Sequence, residues 1–207
     1  TMRTLISRSS VTAGWTITDA DRTVAAAVRA RLPARIFDVH MHVYRTRDLG
    51  PCPAHIERGP PFAGIREWKD HLGGLLGKTR LAGALCTPFP ARRGNPAAIN
   101  SCVLKEVAGR GAFRANVAIA PACDKSSIEA YLENPAVVGL KPYHLYSARP
   151  DSFESNILEY LPEWAWKMAD KRGLILLIHL VKSAALSDPA NQASLRRLAG
   201  KYPGARI

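Results

Sequence analysis

The chain has 207 residues, is 47% hydrophobic and 22% charged, and carries a formal net charge of +12. It has no apolar run long enough to span a bilayer and no secretory pattern in its opening TMRTLISRSS, so it reads as a globular, non-membrane protein of the cytoplasm. Cys52, Cys86, Cys102 and Cys123 include no CxxC pair and are expected to be reduced thiols.

The first element in chain order is TITDADRTVAAAVRARL, which predicts a helix with Thr18 as N-cap and acidic residues in its first turn. It belongs to an N-terminal helical extension, residues 1–34. From residue 35 onward, short apolar runs alternate with longer amphipathic stretches, separated by Gly or Pro, as in βα units around a parallel sheet. Strands are predicted at Ile36–Val43, Leu81–Thr87, Phe113–Ala120, Val137–Tyr143 and Leu174–Leu180. The predicted helices are Ile65–Leu76, Pro96–Ala108, Ser126–Glu133, Leu158–Lys171 and Asn191–Lys201. YPGARI then has a Pro-Gly break and the first residues of a sixth strand. Four units occupy the 139 residues from His40 to His179, about 35 each. Eight units would therefore need on the order of 100 more residues. The expected fold is α/β, a (β/α)8 TIM barrel over residues 35–207 of which strands 1–5 and the start of strand 6 are present. The remaining segments would come from further chain or from an oligomer partner, and the fragment alone is expected to be inactive.

The first strand ends in D-x-H-x-H. Strict alternation puts Asp38, His40 and His42 on one face and Val39 and Met41 on the other, so two imidazoles aim at one point. In a parallel barrel the C-terminal strand ends face the active site, and an i, i+2 pair of neutral imidazoles can reach one metal ion. The unbroken run Leu174–Ile178 leads into His179, which occupies the same relative place on the fifth strand. A polar ring at the end of a buried run costs free energy unless it finds a partner. Lys141, late in the fourth strand, is suited to bind an anionic substrate, to work with a lowered pKa, or to be carbamylated and bridge metals; the plain alternative is a lysine that snorkels out of the barrel mouth. His144, three residues on, is not counted as a ligand.

Together, D-x-H-x-H at Asp38, His40 and His42, G-x-K at Gly139 and Lys141, and His179 resemble the amidohydrolase superfamily of metal-dependent TIM-barrel hydrolases, in particular its amidohydrolase-related group, which includes decarboxylases. The resemblance covers roughly residues 35–207 and implies His40, His42 and His179 as metal ligands and Asp38 as a supporting residue. It also implies a histidine from strand six and an aspartate from strand eight, neither of which lies in this sequence. The expected cofactor is a divalent metal, zinc first. The expected reaction is hydrolysis of an amide, ester or lactone in a small-molecule substrate through a metal-activated water, with decarboxylation on the same scaffold as the alternative.

Other signals are weaker. GGLLGKT, residues 73–79, is one residue short of a P-loop and follows a helix instead of preceding one, so it reads as a helix C-cap. CPAH, residues 52–55, lacks the second pair of a zinc ribbon. There is no G-x-S-x-G elbow. The positive charge admits a rival of another class, a non-catalytic basic module binding a polyanion. Its basic residues are scattered as singles and pairs, however, which disfavours nucleic acid.

Overall fold

The computed structural model describes residues 15–51, 54–90, 92 and 95–207. Cys52 of the CPAH stretch and the opening decapeptide lie outside the described residues. Six strands form one curled half-barrel sheet with helices packed against it, a mixed α/β architecture consistent with part of a (β/α)8 barrel. The strands are β1 (Ile36–Arg45), β2 (Phe62–Ala63), β3 (Leu81–Pro88), β4 (Phe113–Ile119), β5 (Val137–Pro142) and β6 (Ile175–Leu176), in the order β2-β1-β3-β4-β5-β6. All neighbours are parallel except β2, which folds back on the end of β1 and pairs Ala63 with Tyr44.

The α-helices are α1 (Asp19–Arg29), α2 (Thr46–Leu49), α3 (Ala54–Glu57), α4 (Ile65–Leu76), α5 (Pro96–Val107), α6 (Lys125–Leu132), α7 (Ile157–Tyr160), α8 (Glu163–Arg172) and α9 (Pro189–Lys201). Thr18 caps α1 in a capping box with Asp21, as its sequence predicts. Arg80 fastens the segment after α1 to the sheet, donating to the Leu32 carbonyl at 2.9 Å. α4 ends at Gly77 with φ 99°, a left-handed stop that suits a residue without Cβ. The core lies between sheet and helices, where Met41, Ala84, Cys86, Ala115, Val117 and Leu140 meet α4, α5 and α8 through Trp68, Val103 and Trp166.

Four expectations need correction. The single helix predicted over Leu158–Lys171 is two helices, because Pro162 lacks the N–H that a continuous helix would use. The strand predicted over Leu174–Leu180 is regular only at Ile175–Leu176. One further bond joins Leu177 N–H to the Leu140 carbonyl at 3.1 Å, and the ladder then stops where β5 reaches Pro142, which has no donor. The loop after β1 contains α2, α3 and β2, none of them anticipated.

The fourth correction concerns β1. Asp38 is in register with Ala84 and Met41 with Cys86, so Val39 and His40 together oppose one residue in a β-bulge. The bulge breaks the alternation. Asp38 turns towards the helix layer, where Trp68 Nε1 donates to its carboxylate at 2.8 Å, and its other oxygen accepts from the His40 N–H at 2.9 Å.

Ahead of Ile207 the chain returns to the sheet: Arg206 bridges Ile175 in parallel, and its N–H reaches the Leu174 carbonyl at 3.0 Å. Arg206 thus makes one isolated parallel bridge beside β6.

Candidate functional site

The C-terminal ends of the strands form a rim that carries four histidines and a lysine. His40 and His42 lie in the C-terminal half of β1, which runs on to Arg45, their rings 4.9 Å apart between centroids. Lys141 stands in β5, 1% exposed, with its ammonium 5.0 Å from the centre of the Tyr143 ring. His179 follows β6 beyond the regular ladder; its carbonyl accepts from Tyr160 Oη at 2.8 Å and its ring lies 6.0 Å from that of Tyr143. Tyr143 Oη in turn donates to the Pro88 carbonyl at the end of β3. The phenol therefore straps β5 to β3 across the top of β4.

The electrostatics place these groups within mutual reach. Burial lowers the Lys141 amine to about 8, and among the described residues no carboxylate forms an ion pair with it. Its positive charge bears on His40, His42 and His179 alike. His42 is lowered to about 4, first by burial and then by the charges of His40 and Lys141. The Thr87 and Pro88 carbonyls approach its ring and oppose this weakly, yet Nδ1 is buried with no hydrogen-bond partner. His40 and His179 are exposed on the open side of the rim, so only their inner edges are desolvated. Both are nevertheless held below the ordinary histidine value, by that burial first and by Lys141 second. All three imidazoles are thus neutral near pH 7, the state in which a ring nitrogen can ligate.

As a donor set these residues suit a borderline divalent ion: neutral imidazoles, a buried Nδ1 lacking a partner, and an Asp38 carboxylate steadying the His40 backbone. The structure does not, however, gather three of them at one point. Among the described residues no group of three His, Cys, Asp or Glu side chains could hold a metal ion. The histidines stand as two pairs, His40 with His42 and His179 with His144.

His144 is the residue that the sequence reading passed over. Three residues after Lys141, strand alternation would turn it away, but the chain leaves β5 at Pro142 and makes a 3-10 turn over His144–Tyr146. The turn brings its ring to 5.1 Å from His179. No spacing rule reports such a turn; the Pro-Tyr-His run directly after a strand-end lysine is the one local signal. Beside β1, a cavity of about 510 Å³ opens onto His40 and His42 and is walled by Trp15, Trp68 and His71. Trp15 lies edge-on to His71 with centroids 5.4 Å apart, so the segment before α1 forms part of this wall.

No described helix is long and apolar enough to cross a membrane. No family model matches the sequence, and no curated protein matches it. Among solved structures, a dihydroorotase from Saccharomyces cerevisiae crystallised with 5-fluoroorotic acid is similar at a TM-score of 0.46 and 17% identity, over 83% of this chain and 46% of that one. The chain therefore spans less than half the length of that protein.

Proposed function

We propose that the rim is the metal-holding side of a metal-dependent hydrolase of the amidohydrolase type, with His40, His42 and His179 as ligand residues and a small molecule carrying an amide, ester or lactone as substrate. One observation carries this reading: a buried lysine, with no carboxylate paired to it among the described residues, acts on three histidines of the rim, all held below the ordinary histidine value. Zinc, the first choice of ion, supplies a Lewis acid and lowers the pKa of water to about 7. The chain's own residues prepare the rest. Asp38 fixes the bulge that presents His40, and Trp68 holds Asp38 from behind. Lys141 offers one positive charge in a dry setting, where it attracts a carbonyl or carboxylate oxygen more strongly than it would in water. The cavity walled by Trp15 and Trp68 gives an apolar substrate body a place beside the histidines.

The test is zinc titration of metal-free protein by calorimetry, followed by assays on amide, ester and lactone panels. Zinc uptake, weakened at least about tenfold at the His40–His42 pair in His42→Ala, is the expected result. Protein that takes up no zinc, or takes it up equally well without His42, overturns the reading. Release of carbon dioxide instead of a hydrolysis product would move the activity to decarboxylation on the same rim.

A further inference from the structure

We infer that His144 is a metal ligand, paired with His179 in a second two-histidine site on the rim that also carries the His40–His42 pair. The inference rests on the proposal that this rim binds a divalent ion, and it adds a ligand that strand alternation excludes.

The argument begins with the hydrogen on the ring. His144 is 4% exposed, and its Nδ1 lies 3.2 Å from the Ser152 carbonyl and 3.2 Å from Ser152 Oγ. A carbonyl only accepts, so Nδ1 carries the hydrogen and the neutral ring keeps its lone pair on Nε2. An imidazole whose far nitrogen donates to a backbone carbonyl has its tautomer and ring orientation fixed, as ligating histidines do.

The ring is also held in place. Phe153 packs against it with centroids 4.6 Å apart, and His179 lies 5.1 Å away at an interplanar angle of 42°. The spacing is close to the 4.9 Å of the His40–His42 pair. His179 is anchored from its own backbone, where its carbonyl accepts from Tyr160 Oη. The His144 ring and the His179 backbone are thereby held in place before any ion arrives. Two nitrogens leave further coordination positions open, which suits an exchangeable Zn²⁺ or Co²⁺ ion that accepts imidazole.

The experiment is nitrogen-15 NMR of the imidazoles of the intact chain during zinc titration, alongside calorimetry of His144→Ala and His144→Gln. Before zinc, His144 should show a protonated Nδ1 and an unprotonated Nε2. On titration the Nε2 signals of His144 and His179 should shift together. Each substitution should weaken binding at this pair at least about tenfold while the His40 and His42 shifts persist. If zinc moves His40 and His42 but leaves His144 Nε2 where it was, the second pair is refuted while the metal reading stands. If zinc moves none of the four, both fall. Because the wild-type spectrum decides, a variant that fails to fold does not leave the matter open.

Discussion

Lys141 is the residue at which function and stability pull hardest against each other. Its ammonium is buried among rings and backbone, and no described carboxylate compensates it. Burial alone lowers it to about 8. In the unfolded chain the same amine titrates near 10.5, so below pH 8 both states are charged and the folded state bears the cost of burying the charge. Between pH 8 and 10.5 the unfolded state binds more protons, and stability contributed by this group rises with pH. Lys141→Met should therefore stabilise the chain at pH 7, by up to about 3 kcal/mol, and the advantage should shrink as pH climbs from 8 to 10.5. Thermal unfolding of the two proteins across that range measures it directly. A methionine variant that is less stable at pH 7 would mean that the ammonium is held by attractions stronger than its desolvation. The same substitution removes the charge that bears on three histidines.

The strands that present the site differ in how much of their geometry the sequence could disclose. Apolar runs and Gly-Pro breaks announce β1, β3, β4 and β5; the last three are buried along almost their whole length, whereas β1 is buried mainly in its second half. The bulge at Val39–His40 is of another kind: it exists because β1 and β3 slip by one residue, and register belongs to two strands at once. So the two histidines could be paired from spacing, but Asp38 could not be assigned to the helix layer, nor His144 to the rim. His179 is a mixed case, legible as the end of an apolar run and yet carried past the ladder by the missing donor of Pro142. Gly139 shows the same dependence on neighbours. A Cβ there would stand 2.3 Å from Asn116 Oδ1 and 2.6 Å from the Ile175 carbonyl, one contact on each flanking strand. Gly139→Ala must push β4 or β6 aside, and because one obstacle is backbone, a rotamer change cannot relieve it. The expected cost is about 1–3 kcal/mol in denaturant unfolding. It should bring a local opening of β5 amides towards exchange, two residues below Lys141. An alanine that is tolerated without loss would show that the inner layer has slack.

At the scale of the whole molecule, the described sheet has an edge that its own chain covers only in part. β2 pairs with Tyr44 and Arg45 alone, so Ile36–Val43 has a ladder on one side, towards β3. On this stretch Phe37 is 48% exposed and Val39 66% exposed. An apolar strand edge of that length is a template for pairing with another chain. Mutual repulsion opposes it, for at a net charge of +12 two copies approach against a field that reaches about 30 Å at 0.01 M salt and about 8 Å at 0.15 M. Self-association of the chain should therefore strengthen as salt is raised. This is the reverse of the polyanion-binding alternative, whose affinity must fall with salt as counterions cease to be released. Val39→Glu separates the causes, because it lowers the net charge to +11 and so weakens repulsion, yet it sets a charge on the exposed edge. If the edge drives association, the variant should sediment as a smaller species than wild type at 0.15 M salt despite its weaker repulsion. Its unfolding free energy should change by no more than about 0.5 kcal/mol, since the side chain is exposed. A wild-type chain that sediments as a monomer at every salt concentration would show that the bulge and the short β2 suffice to blunt the edge.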